Sequence, residues 1–434
     1  MIGKGTTLDN PFTPDPGELP DVFEGREEEI NEFKELIRDV GKKTPRPTLR
    51  VLYAPRGHGK TTLLRYLKEH SSQFAREENV KDVQTIILTP SELNLKTLYR
   101  KITGNNLEVE TSVTKQGSGG IDAGTKSELL GFQLAFKASG NLSKKTTYEH
   151  DVEDFAQVIE LIGKYRPTIL CIDESHTMDP QVLRNLLQCL QQTTGDKIPV
   201  TTILSGTPEL RRAVRECNAS FATRYTVHTL RTLTTEESRR AIGTPFTKNK
   251  VESPPEHVID EMVRECHNYP FFIQLYGRAL WRNCVEDESL VINAEKWEKA
   301  TTQFHTGKDF MYEERYEEIS KKNLLESAFH IAKLFDEKEQ WLESELVTRL
   351  SGEGISDSKS DIQQLSDLGY LWKPDVSKRF YERAILSLMD HIKRNVQDDL
   401  KASAHRQKLM KQQNKDVPDA GECLPGDESY TRVR

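Results

Sequence analysis

The chain has 434 residues, too many for one small core and enough for two or three domains. With 35% hydrophobic and 30% charged residues it reads as globular, and a net charge of -7 excludes a protein that is basic throughout and holds nucleic acid by bulk charge, though not a local basic patch. No window reaches the roughly 18 apolar residues of a membrane helix, and the six cysteines (Cys171, Cys189, Cys217, Cys266, Cys284, Cys423) never fall in C-x-x-C spacing, so a soluble, cytoplasmic protein with free buried thiols and no membrane partner is expected.

In chain order, the first twenty residues are rich in Pro and Gly and should be extended. "FEGREEEINEFKELI" then puts Ile30, Phe33 and Ile37 on one helical face. Strand-like runs follow at 48–53, 83–88, 168–172, 200–204 and 225–230, separated by helical stretches, which indicates a parallel sheet covered on both faces. Residues 107–139 alternate apolar and polar side chains around "GSGG" and read as a hairpin-like insertion, placed at about 105–148, with no chemical role assigned. Strands are expected to stop after about residue 233, where helical patterns form a small lid unit over 233–311. A third unit over 312–395 shows three helices followed by two short strands, a winged-helix pattern, and a polar tail over 396–434 should be disordered. The first unit is then an α/β core over 1–232.

The chemistry concentrates in two places. "YAPRGHGKTTLL" has the form of a phosphate-binding loop between a strand and a helix: backbone N–H groups of Ala54, Pro55 to Gly59 wrap phosphates (Pro55 itself contributing shape only) and the helix N-terminus points at them. Gly57 and Gly59 supply the positions where no Cβ can be tolerated, and the first position needs only a small residue, so Ala54 in place of glycine fits. Arg56, His58 and Thr62 complete the loop, Lys60 reaches the β- and γ-phosphates, and the Thr61 hydroxyl is offered to Mg²⁺. About 110 residues on, "TILCIDE" ends an apolar strand in Asp173 and Glu174: the first carboxylate suits Mg²⁺, the second the attacking water. His176 has no helical partner at metal-ligand spacing; for it and for His58 a solvated or hydrogen-bonded role is expected.

Loop and acidic strand together make the chain resemble the AAA+ ATPases, in the branch of the origin-recognition and archaeal initiator proteins and the related STAND NTPases. The resemblance spans roughly residues 10–395 and implies a P-loop NTPase α/β core with a helical lid and a C-terminal winged-helix domain, binding ATP and Mg²⁺. It implies that Gly25 and Arg26 of "GRE" lie near the adenine, that Thr207 of "VTTILSGTPEL" senses the γ-phosphate, and that Arg224 of "SFATRY" is an arginine finger for the neighbour in an ATP-dependent homo-oligomer. Read from the residues alone, Arg224 is equally a salt-bridged surface arginine and Thr207 a strand-end threonine. The lid of many such proteins carries an arginine just after a proline; here Pro270 is followed by Phe271 and Phe272, with Arg278 and Arg282 a turn or more away, which points to slow hydrolysis or to binding without turnover.

The third unit is quieter. Its third helix offers Lys359, Gln363 and Gln364 but also Asp357, Asp361 and Asp367, which would repel phosphates, whereas from Leu371 to Asp416 eleven Lys and Arg outnumber six Asp and Glu. Lys373, Lys378 and Arg379 surround the wing, and Lys393, Arg394, Arg406, Lys408 and Lys411 line a last helix. That charge favours backbone contact with duplex DNA over base readout; a signalling or defence switch acting on protein partners is the alternative.

Overall fold

The computed structural model describes residues 8–46, 48–93, 97, 101, 159–160, 162–163, 166–217, 225–286, 289–373, 380–385 and 387–398. The expected insertion at 105–148, Arg224, the wing residues Lys378 and Arg379, Cys423 and the tail beyond 398 lie outside them.

After an irregular entry segment, helix α1 (Glu27–Val40) buries Phe33, Leu36, Ile37 and Val40, and three glutamates in its first turn complement the helix dipole. Strands β1 (Leu49–Tyr53), β2 (Gln84–Leu88), β3 (Thr168–Ile172), β4 (Val200–Gly206) and β5 (Tyr225–Thr229) form one sheet in the order β2-β3-β4-β1-β5. All four pairings are parallel, with Val51 opposite Leu204 on one side and Val227 on the other. Every residue of β3 and β4 is buried; β3 reads as a continuous apolar run, while β4 carries the buried hydroxyls of Thr201, Thr202 and Ser205. Helices α2 (Lys60–Glu77), α3 (Pro180–Gly195) and α4 (Pro208–Cys217) connect them. Because β4 sits between β1 and β3, the C-terminal ends of these three strands lie side by side, the position at which open α/β sheets bind ligands.

The sheet is followed by α5 (Thr235–Lys248), α6 (Glu256–Cys266) and α7 (Pro270–Cys284). Thr234 and Glu237 close a capping box on α5, and Pro270 starts α7 at the position where its missing N–H costs nothing. Two points differ from the sequence expectation. Strands do not stop at 233, since β6 (Val285–Glu286) and β7 (Ser289–Leu290) pair in an antiparallel ribbon. The expected boundary at 311/312 also falls inside a continuous 28-residue helix, α8 (Ala294–Lys321). Its stripe Ala300, Phe304, Lys308 and Tyr312 stays buried across that point, so no break in periodicity marks one.

The C-terminal unit contains α9 (Leu325–Leu334), β8 (Trp341–Leu342), α10 (Glu343–Gly352), α11 (Ser358–Asp367), β9 (Leu371–Trp372) and β10 (Phe380–Arg383), followed by a helix over 387–398. Its antiparallel sheet has three strands in the order β8-β10-β9, one more than the sequence suggested, because Trp341 and Leu342 pair with Tyr381 and Phe380 instead of beginning the second helix. Trp341 donates from Nε1 to the Leu334 carbonyl at 3.1 Å, and the Tyr370 hydroxyl donates to that of Ala328 at 2.8 Å, tying sheet to helices.

This unit docks on the core. Trp372 meets Tyr53 edge-on at 5.7 Å, and Asp367 at the end of α11 pairs with Arg212 of α4 at 3.0 Å. Two of the three α11 carboxylates weighed against phosphate contact are thus engaged within the protein, Asp361 accepting from Ser327 at 2.5 Å. Two of the basic residues are likewise engaged: Lys373 with Glu343 at 3.0 Å, and Lys393 with Asp336 at 2.7 Å. Among the described residues no helix is long and apolar enough to cross a membrane.

Candidate active site

Residues 54–61 run from the end of β1 into α2. Gly57 and Gly59 both take the left-handed conformation, at φ +82° and +85°. They are constrained differently. A Cβ on Gly57 would lie 2.5 Å from the Tyr269 hydroxyl oxygen, whereas one on Gly59 would meet nothing within 4 Å. Gly57 leaves room for the lid, and Gly59 leaves the cleft open beside the first turn of α2.

Lys60 is buried, and its ammonium donates to the carbonyls of Ala54 at 2.9 Å and Pro55 at 3.1 Å. Burial lowers its pKa to about 8, against the pull of Glu174 and Asp173. The Thr61 hydroxyl donates to Asp173 Oδ2 at 2.6 Å, while Oδ1 accepts from the Ser205 hydroxyl at 2.8 Å and the Glu174 N–H at 2.9 Å. Thr61 and Asp173 therefore present a hydroxyl and a carboxylate at one point. This is a hard oxygen donor set that suits Mg²⁺, an ion that takes few protein ligands and keeps the rest for water and phosphate.

Glu174 sits in the left-handed region at φ +52°, a conformation that costs a non-glycine residue on the order of 1–3 kcal/mol. The turn aims its half-exposed carboxylate into the cleft. Behind it, His176 Nε2 lies 3.5 Å from Glu174 Oε2, and His176 Nδ1 accepts the Thr207 N–H at 3.4 Å. An accepting Nδ1 leaves the ring proton on Nε2, facing the carboxylate. Burial lowers the His176 pKa to about 4, with Arg56 and Lys60 adding to it, so the ring is neutral. A Cβ on Gly206 would come to 3.1 Å from Nδ1, so the glycine permits this approach.

The cleft has a volume of about 400 Å³. Lys60, Thr61, Glu174 and Arg56 line it, together with the apolar Pro14, Val22, Leu233, Ala241 and Ile273. Gly25 opens α1's entry turn at φ +71°. Arg26 lines the cleft but its buried guanidinium donates to three carbonyls, those of Gly25, His58 and Arg231 at 3.0–3.1 Å, which clamps the loop to the start of the lid. Thr62 also lines the cleft.

Of the solvated or hydrogen-bonded role expected for His58, the solvated part is corrected: its ring is buried, edge-on to Tyr269 at 5.1 Å and tilted to Trp372 at 6.1 Å, with the backbone of Arg56 and Pro55 within hydrogen-bonding reach. Thr207 stands behind His176, and Ser205, two residues earlier on β4, is the side chain that reaches Asp173. Sequence reasoning missed Ser205, although a hydroxyl inside an apolar strand is the available signal. It missed the entry-segment residues that line the cleft as well, since prolines there carry no periodic pattern.

Lid and loop are in direct contact. The Tyr269 hydroxyl donates to the Arg56 carbonyl, and the Phe271 N–H donates to that of Gly57 at 3.3 Å. Arg278, weighed above as a distant substitute for a lid arginine, instead pairs with Asp15 of the entry segment at 2.7 Å.

Residues 46–214 match a family model described as an AAA domain. No curated protein matches the chain. Among solved structures, the Aeropyrum pernix ORC2 protein in its ADPNP–ADP complexes is 13% identical, with 89% of this chain and 98% of that one covered at a TM-score of 0.50. The A. pernix ORC1 protein in complex with DNA is also 13% identical, covering 87% and 94% at 0.41. The Thermotoga maritima RuvB Holliday junction branch migration motor is 13% identical, covering 83% and 92% at 0.39. The first likeness concerns the fold, that of a P-loop NTPase.

Proposed function

We propose that this chain, which carries an AAA domain on a P-loop NTPase fold, is a slow Mg·ATPase that uses its nucleotide to set the docking of the C-terminal unit and its own assembly. The observation that carries the reading is the meeting of Thr61 and Asp173 at 2.6 Å, beside Lys60 and Glu174 in one cleft. In this reading Lys60 and the loop N–H groups hold the phosphates, Thr61 and Asp173 hold Mg²⁺, and Glu174 orients and deprotonates water, kept in place by His176. Bound Mg²⁺ would neutralise phosphate charge. The apolar residues lining the cleft take the base. Arg224 as a finger in trans and Thr207 as a γ-phosphate sensor remain parts of the proposal.

Steady-state phosphate release tests it. Wild type should release phosphate only with Mg²⁺, and Lys60→Ala should lose it through failed binding, whereas activity that survives Lys60→Ala would place the chemistry elsewhere.

For partners, the excess of Lys and Arg between 371 and 416 makes duplex DNA the first to test. One observation favours the second reading, a switch that engages protein: α11, the helix that would enter a groove in a winged helix, is held against α4 by Asp367 and Arg212. DNA binding that falls with salt, and is absent from a Lys378→Glu/Arg379→Glu variant, supports the first; ATP-dependent oligomers indifferent to DNA support the second.

A further inference from the structure

The lid offers no arginine after Pro270, but α8 brings one to the cleft from a different element. Met311, Glu314, Arg315 and Glu318 recur at three- and four-residue spacing, which places them on one face of α8. The first three line the same cleft as Lys60, Thr61 and Glu174. The Arg315 side chain is only 12% exposed, and its guanidinium donates to Glu318 Oε2. Arg56 of the phosphate loop lies 3.4 Å from Oε1 of that same carboxylate. One carboxylate thus holds two arginines, one from the loop and one from the helix leading into the C-terminal unit. Both stand close enough to Lys60 to depress its ammonium.

We infer that Arg315, with Arg56 beside it, reads the terminal phosphate of ATP, and that Glu318 is the competing anion that occupies both guanidinium groups when that phosphate is not there. The inference deepens the Mg·ATP reading and rests on it. A γ-phosphate offers more charge and more acceptor oxygens than one carboxylate, and guanidinium forks bind it bidentately. A diphosphate is shorter by one group and leaves both arginines to Glu318. Moving Arg315 from Glu318 to phosphate shifts α8, and α9 follows α8 after a three-residue turn, so the exchange reaches the C-terminal unit. A lid arginine would sense ATP by closing α7; here the sensing element is the helix that carries the docked unit.

Calorimetric titration of the full chain with Mg²⁺ and either ADP or a non-hydrolysable ATP analogue tests this. Losing a charge-assisted bond, Arg315→Ala should weaken the analogue roughly ten- to hundredfold and ADP by less than about threefold. Arg315→Lys should recover part of the loss. Glu318→Gln keeps the shape, removes the competing charge and should tighten the analogue relative to ADP. Equal losses for both nucleotides in Arg315→Ala, or analogue binding unchanged or weaker in Glu318→Gln, would overturn the inference while leaving the ATP site standing. A wild-type chain that binds neither nucleotide would overturn both. If Arg315→Ala does not fold, as thermal melting would show, Glu318→Gln decides alone.

Discussion

At the scale of single residues, the acidic strand tip is held by neighbours that the sequence barely announces. Asp173 and Glu174 stand out because an apolar strand ends in two carboxylates, but that Asp173 is fixed by Ser205 follows only from β3 and β4 being adjacent. Removing that hydroxyl takes one of the two hydrogen bonds from Asp173 Oδ1 and leaves the Glu174 N–H, at a cost of about 1 kcal/mol. Ser205→Ala should therefore raise the Mg²⁺ concentration for half-maximal hydrolysis by up to roughly tenfold, with the protein fold unchanged. A magnesium titration of phosphate release would show it. His58 was legible as part of the loop and illegible as an aromatic-packed ring, because its neighbours Tyr269 and Trp372 come from two other units. Burial lowers its pKa from 6.5 to about 3, and that of His176 from 6.5 to about 4. Folded values below the unfolded one mean that the folded chain binds fewer protons, so this stability is complete above about pH 6.5 and lost as pH falls toward the folded values. His58→Phe keeps the ring contacts and removes the proton site. Its melting temperature should fall less than wild type's on acidification through that window, and an identical fall would show that His58 contributes nothing to acid sensitivity.

At the scale of elements, the five strands were readable because β1 and β3 are apolar runs bounded by loop residues. The entry segment was not, since it has no periodicity and takes its order from the lid. Phe12 is 2% exposed, packs at a tilt against Phe246 at 5.6 Å and lies where a Cβ on Gly277 would collide with it. The Thr13 N–H donates to Gln274 at 2.9 Å and Asn10 to the Arg278 carbonyl at 3.1 Å. The segment is in effect a strap along α7. Phe12→Ala should cost about 3 kcal/mol and loosen nucleotide binding with it, as denaturant unfolding and titration would report. Arg315 was missed for a related reason. "MYEERYEEIS" is charged on every side, and only the packing of α8 shows that Arg315 faces the cleft.

At the scale of the whole molecule, the C-terminal unit reaches the back of the phosphate loop through Trp372 and the core through Asp367 and Arg212. None of this was in the sequence, because the two partners of each contact are far apart in the chain and carry no shared pattern. Burial pushes the Asp367 carboxyl above its usual range even with Arg212 beside it and Gln363 donating to its other oxygen at 2.9 Å, so losing the arginine leaves a buried carboxylate without its main cation. Arg212→Glu should release the unit, and small-angle scattering should report a larger radius of gyration than wild type's; an unchanged radius would mean that Trp372 suffices. The central claim is that the cleft binds Mg·ATP and that Glu174 activates the water which cleaves it. Its most direct test is to mix Glu174→Gln protein with Mg·ATP, remove free nucleotide and identify what stays bound. Near-stoichiometric ATP is expected on the variant and ADP on wild type; ADP on both, or no nucleotide on either, would contradict that claim.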